Sequence, residues 1–277
     1  MRNQIHVLKA FVLLLLGLSL SSAARADDKN VMLYKVNKGS SISLMARLTQ
    51  CSEATVTFTA TVENMASSVS LPQTVELTGP KTIVLAVFTP IDPNIPCSCI
   101  GSYTWEYGRR LASPPAAYTS YTLPYHNGPY EVIQGAHGAF SHSIGTSDAE
   151  AIDWAMPIGT PVYPARSGVV IGIRTDCIIG GPDKKWMLDC NYVIVKHDDG
   201  TMAEYLHLQH NGVLVHLGDH VTPDRSIALS GNTGYTTEPH LHFAVFVLEF
   251  GTTTRSLPLT FQRRNGSLYT LFEGSFY

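Results

Sequence analysis

The sequence predicts an all-β chain in two domains, a small β-sandwich-like one followed by a larger antiparallel one. Three observations carry that reading. Apolar and polar residues alternate in short runs separated by turn-forming residues, the period-2 pattern of half-buried strands. No long segment follows the 3.6-residue helical period, and no internal repeat is found. The 277 residues, 44% hydrophobic and 15% charged, are globular in composition and long enough for two ordinary domains.

Residues 1–26 read as a secretory signal peptide. Arg2 and Lys9 precede the apolar run Ala10 to Leu20, and Ala24-Arg25-Ala26 forms a small-residue cleavage site before Asp27. The apolar run is too short to span a bilayer comfortably, so no stable membrane insertion is expected after cleavage. No cysteine stands at the cleavage site to be lipidated. The expected location is therefore exported, periplasmic or secreted. The net charge of −3 gives no basic excess for phosphates, so nucleic acid is not an expected partner.

Residues 27–120 are expected to form the first domain. Ile42, Leu44, Ala46 and Leu48 recur with period 2, and Val56, Phe58, Ala60 and Val62 alternate with threonines. Lys81 to Phe88 is a β-branched apolar run opened by the turn Gly79-Pro80, and Tyr103, Trp105 and Tyr107 alternate again. Ala112 to Pro124, with Ser113-Pro114-Pro115, has the composition of a linker. The second domain, 121–277, continues with strands. Tyr192 to Lys196 and Met202 to Leu208 flank the hairpin signal Asp198-Asp199-Gly200, with further strands at Val169 to Ile173 and Phe243 to Leu248.

An exported chain can form disulfides. Cys177 and Cys190 flank a loop containing Gly180-Gly181-Pro182-Asp183, so a bridge between them is expected. Cys51 could pair with either Cys97 or Cys99.

The chemistry is concentrated in the second domain. Every histidine except His6 lies between His126 and His242. Histidine is both the commonest metal ligand and the commonest general base. On a strand, His240 and His242 would share one face while Leu241 and Phe243 feed the core. Tyr205 and His207 repeat that spacing. Asp153 stands in the apolar run Ala151 to Pro157, where an unpaired carboxylate is costly and needs a cation or several donors.

These elements, in this order, resemble the lysostaphin/LytM-type zinc metallopeptidases that cut peptidoglycan peptides. The resemblance covers residues 131 to 247. It rests on the Asp-x-Ala-x-Pro-x-Gly-Thr-Pro-Val block at 153 to 162, on Ala165 to Val170 and on Asn191 to His197. Tyr205-Leu206-His207-Leu208, Ser230 to Gly234 and Pro239 to Phe243 complete it. It implies an antiparallel β catalytic domain with a groove, one Zn²⁺ per chain and a peptidoglycan peptide as substrate. Asp153 and His242 match metal ligands of the family, while His207 and His240 match its non-ligand catalytic histidines.

The first ligand departs from the common His-x-x-x-Asp spacing, because position 149 is Ala. A subgroup with a longer insertion carries Gly-x-Phe-Ser-His ahead of the Asp block, similar to Phe140-Ser141-His142 here. The expected ligands are therefore His142, Asp153 and His242, with His137 as the competing candidate. Asn191 and Tyr205 are candidates for orienting substrate or a ligating carboxylate, with a structural role the stronger alternative for each. His210, His216 and His220 read as surface residues, and His197 as locally packed. Two other functions compete with a monomeric cell-wall endopeptidase. One is a non-catalytic regulator of a cell-wall amidase, which would lack some ligands; the other is a secreted protease acting on Gly-rich proteins.

Overall fold

A computed structural model of the chain describes residues 9–14, 30–111 and 120–277. The chain divides into two compact units between Arg109 and Arg110. Among the described residues the only helical element is a short 3₁₀ turn, Lys184–Leu188, and no helix is long and apolar enough to cross a membrane.

The first unit holds two four-stranded antiparallel sheets. One has the order Lys9–Leu14, Ser98–Tyr107, Glu53–Glu63, Gln73–Thr78. The other runs Val31–Lys38, Ser41–Leu48, Thr82–Pro90, Met65–Ser67. Each buries one face: Ala54, Val56 and Phe58 on the first sheet, Ile42, Leu44, Ala46 and Phe88 on the second. This is the alternation read from the sequence. Most of the segment expected to be a signal peptide lies outside the described residues. Its Lys9–Leu14 stretch pairs as an edge strand with Ser98 to Tyr103. Cleavage after Ala26 would remove that strand.

The second unit is built on an eight-stranded antiparallel sheet. Its order is Val132–Gln134, Ile152–Ala155, His240–Phe250, Met202–Leu206, Tyr192–Lys196, Gly168–Arg174, His220–Val221, with Thr253–Ser256 pairing beside His240–Phe250. One face carries Ile152, Trp154, Val193, Val195, Ala203, Tyr205, Leu241, Phe243 and Val245 into a continuous core. Asp153, Glu204, His240 and His242 alternate with these and therefore lie on the opposite face. The two faces are coupled: burying Trp154 and Phe243 fixes the direction of the polar residues between them. Truncating either to Ala would cost about 3–5 kcal/mol.

The linker reading of Ala112 to Pro124 is corrected at its C-terminal end. Residues 112–119 lie outside the described ones. Ser120–Tyr121, however, pairs with Thr260 and Phe261, and Tyr121 is buried in the second core. The small and proline-rich composition hid an aromatic residue with a place in that core.

Candidate active site

The pairing of Ile152–Ala155 with His240–Phe250 sets Asp153 directly opposite His242. Asp153 Oδ1 lies 2.8 Å from His242 Nδ1. His142 comes from the preceding loop and is fully buried. Its Nδ1–H donates to the Gly135 carbonyl at 3.1 Å, which leaves Nε2 as a bare acceptor 3.4 Å from Asp153 Oδ2. That Nε2 has no hydrogen-bond partner among the described residues. Donor atoms of His142, Asp153 and His242 all lie within 4.8 Å of one another. Two imidazole nitrogens and a carboxylate converging in a buried site form a donor set that suits zinc.

The electrostatics agree with that reading. Burial opposes the charge of Asp153, but the imidazoles of His242, His240 and His142 outweigh it and hold the carboxyl well below its usual range. Burial lowers His142 to about 4 and keeps it neutral, as a ligand must be. His242 is also penalised by burial, yet the adjacent Asp153 raises it overall, so without metal its ring carries a proton that a bound cation would have to displace. On its other side His242 Nε2 lies 3.6 Å from Glu204 Oε1.

His207 and His240 form a second pair, with ring centroids 4.4 Å apart. The His207 Nδ1–H donates to the Thr233 carbonyl at 2.7 Å, and the His240 Nδ1–H to the Glu238 carbonyl at 2.8 Å. Each ring thus keeps Nε2 as an acceptor. Burial lowers His207 to about 3, with His240 and His242 adding to the effect. His207 ends the strand at a bend with φ 61, a left-handed conformation that non-glycine residues adopt at a cost of roughly 1–3 kcal/mol. Its N–H donates to Cys190 Sγ at 3.1 Å, which helps hold the bend.

That bend separates His207 from Tyr205, which a continued strand would place on the same face. Tyr205 is fully buried in the core beside Phe243, and its hydroxyl accepts the Ala165 N–H at 2.8 Å. Asn191 is also fully buried. Its side chain accepts the Cys177 N–H and donates to the Cys177 and Leu208 carbonyls. Both side chains are engaged inside the fold, in keeping with the structural reading of each.

No disulfide joins Cys177 to Cys190, or Cys51 to Cys97 or Cys99. Asn191 fixes the Cys177 backbone, while the Cys190 thiol turns to His207 and is pushed up to about 12 by burial. The Cys51 thiol donates to the Asn30 carbonyl and that of Cys97 to the Asn64 carbonyl.

His137 stands apart from the metal-ligand cluster. It has φ 62, is half exposed, and its Nε2 lies 2.9 Å from Glu150 Oε1. His210, His216 and His220 are exposed. His197 is buried, with its Nδ1–H on the Ser167 carbonyl. Two residues escaped the sequence reading. Glu204 carries the signal that marked Asp153, an acid within an apolar run. Gln134 carries none, because its position depends on a strand irregularity.

Residues 147–253 match Peptidase family M23. The chain is 43% identical over 95 residues to the peptidoglycan DD-endopeptidase ShyA of Vibrio cholerae, a stretch covering 34% of this chain and 19% of that one. It is 32% identical over 148 residues to lysostaphin of Staphylococcus simulans, covering 53% of this chain and 26% of that one. The chain therefore matches well under half the length of either relative. The solved structure of that lysostaphin aligns with 24% identity and a TM-score of 0.34, over 54% of this chain and 66% of the other. The family match includes Asp153, His207, His240 and His242, but begins after His142.

Proposed function

We propose that this chain, a member of peptidase family M23 through residues 147–253, is an exported zinc-dependent endopeptidase that hydrolyses peptide bonds in peptidoglycan stem peptides or cross-bridges. The observation that carries the reading is the buried convergence of His142 Nε2, the Asp153 carboxylate and His242 Nδ1. These three would hold one zinc ion. Zinc held this way supplies a Lewis acid for the scissile carbonyl and makes water a nucleophile at neutral pH.

The chain's own residues supply the remaining chemistry. His207 and His240 are fixed by their Nδ1 hydrogen bonds, so each presents Nε2 in a defined direction. Between them they accept the proton of the attacking water, return it to the leaving amine and support the developing oxyanion. Burial keeps the His207 ring uncharged, so its Nε2 lone pair is open to a hydrogen bond. The signal-like residues 1–26 support delivery of this chemistry to the compartment where peptidoglycan lies. The name of ShyA, a peptidoglycan DD-endopeptidase, supports a cell-wall substrate over a soluble protein. The presence of the whole donor set favours an enzyme over a regulator that has lost its ligands.

The test is hydrolysis of purified peptidoglycan by the purified chain, with chelator and then with added Zn²⁺. The expected result is loss with chelator and recovery with zinc. Activity that survives complete metal removal would overturn the mechanism.

A further inference from the structure

His142 and Asp153 are eleven positions apart, so something must hold the intervening loop over the site. We infer that Gln134 is the positioning residue that clamps the His142 loop onto Asp153 and thereby sets the metal-ligand geometry. The inference rests on the zinc-site reading above.

A strand irregularity puts Gln134 in place. In the pairing of Val132–Gln134 with Ile152–Ala155, Val132 faces Trp154, but the register then shifts and Gln134 faces Asp153. An unbroken ladder would have set residue 134 opposite Ile152, with its side chain in the core. A one-residue shift turns a side chain to the other face of the sheet, the known use of bulges beside functional sites. Here it brings a polar amide to the site face.

Each polar atom of that buried amide is then engaged. Gln134 Nε2 donates to Asp153 Oδ2 at 3.1 Å and to Ser141 Oγ at 2.6 Å. Gln134 Oε1 accepts the Ser141 N–H at 3.1 Å. One side chain thus joins a carboxylate ligand to the residue immediately before an imidazole ligand. The loop reinforces the clamp from above. The Gly135 carbonyl accepts both the Gly138 N–H and the His142 Nδ1–H. Gly138 passes so close that an added Cβ would fall 2.4 Å from Gln134 Cγ. The absence of a side chain at 138 is what lets the loop close over the amide.

Partners that orient metal ligands typically change metal affinity 10–100-fold when removed. The test measures zinc affinity of the purified full chain by competition with a chromogenic chelator. The variants are Gln134→Met and Gly138→Ala. Thermal melting without metal reports folding separately. Gln134→Met should melt cooperatively and bind zinc about 10–100-fold more weakly. Gly138→Ala, which leaves the amide present but displaces it, should weaken zinc in the same direction. Wild-type affinity in either folded variant would overturn the inference. Failure of the unaltered chain to bind zinc would instead overturn the zinc-site reading itself.

Discussion

Asp153 and His242 face each other across one antiparallel ladder, with Oδ1 2.8 Å from Nδ1. Two proposed ligands far apart in sequence are therefore placed by backbone hydrogen bonds rather than by loops. Their side chains share the solvent-side face because Trp154, Leu241 and Phe243 take the core side. The third proposed ligand, His142, has no such ladder and sits on a loop. This asymmetry sets the expectations below.

Removing His142 should empty the site, whereas removing His137 should not. His142 is buried with Nε2 directed at Asp153, while His137 is half exposed beside Glu150. His142→Ala is expected to lose bound zinc and activity together. His137→Ala should keep full zinc, as measured by elemental analysis of the purified proteins. The reverse pattern would exchange the two assignments.

His207→Ala and His240→Ala should separate catalysis from metal binding. Neither ring belongs to the three-donor cluster. Each variant is expected to retain zinc while kcat falls by about 10²–10⁴, the usual contribution of a general acid or base. Loss of zinc in either variant would place that histidine among the ligands.

Asn191→Ala should act on stability. Its amide serves one backbone N–H and two backbone carbonyls in a fully buried position. Leaving such groups unsatisfied costs about 1–3 kcal/mol each, so a loss of about 3 kcal/mol is expected. Urea unfolding would measure it. A stable variant with only a raised KM would restore the substrate-orienting role.

How much of this could be read beforehand depends on what the local pattern encodes. Val56 to Val62 and His240 to Phe243 were legible because one buried face imposes period 2 on the residues themselves. The bend at His207 was not: Tyr205-Leu206-His207 continues the alternation, and the left-handed turn is held by Cys190 and Thr233 from elsewhere in the chain. The register shift at Gln134 lies in a three-residue strand, too short to show a period. The cysteine spacing gave proximity along the chain but no thiol direction, so the contact of Cys190 with His207 was not legible.

Stability should fall in acid through His197. Burial lowers its folded pKa to about 4, against about 6.5 when unfolded. Between those values the unfolded chain binds more protons, so stability rises with pH. The contribution is complete above about pH 6.5 and is lost as pH falls toward 4, on the order of 3 kcal/mol in all. His197→Asn retains a donor for the Ser167 carbonyl but does not titrate. Its stability, measured without metal from pH 4 to 7, should show a shallower slope than the unaltered chain; an identical slope would remove His197 from the account.

The most direct test of the central claim is mass spectrometry of the fragments released from purified peptidoglycan by the zinc-loaded chain. The account predicts fragments with newly formed peptide amino and carboxyl ends, intact glycan linkages, and none of these products after chelation. Cleavage in the glycan strand, or at the bond joining sugar to peptide, would contradict it, as would the absence of cleavage by a folded chain carrying one zinc.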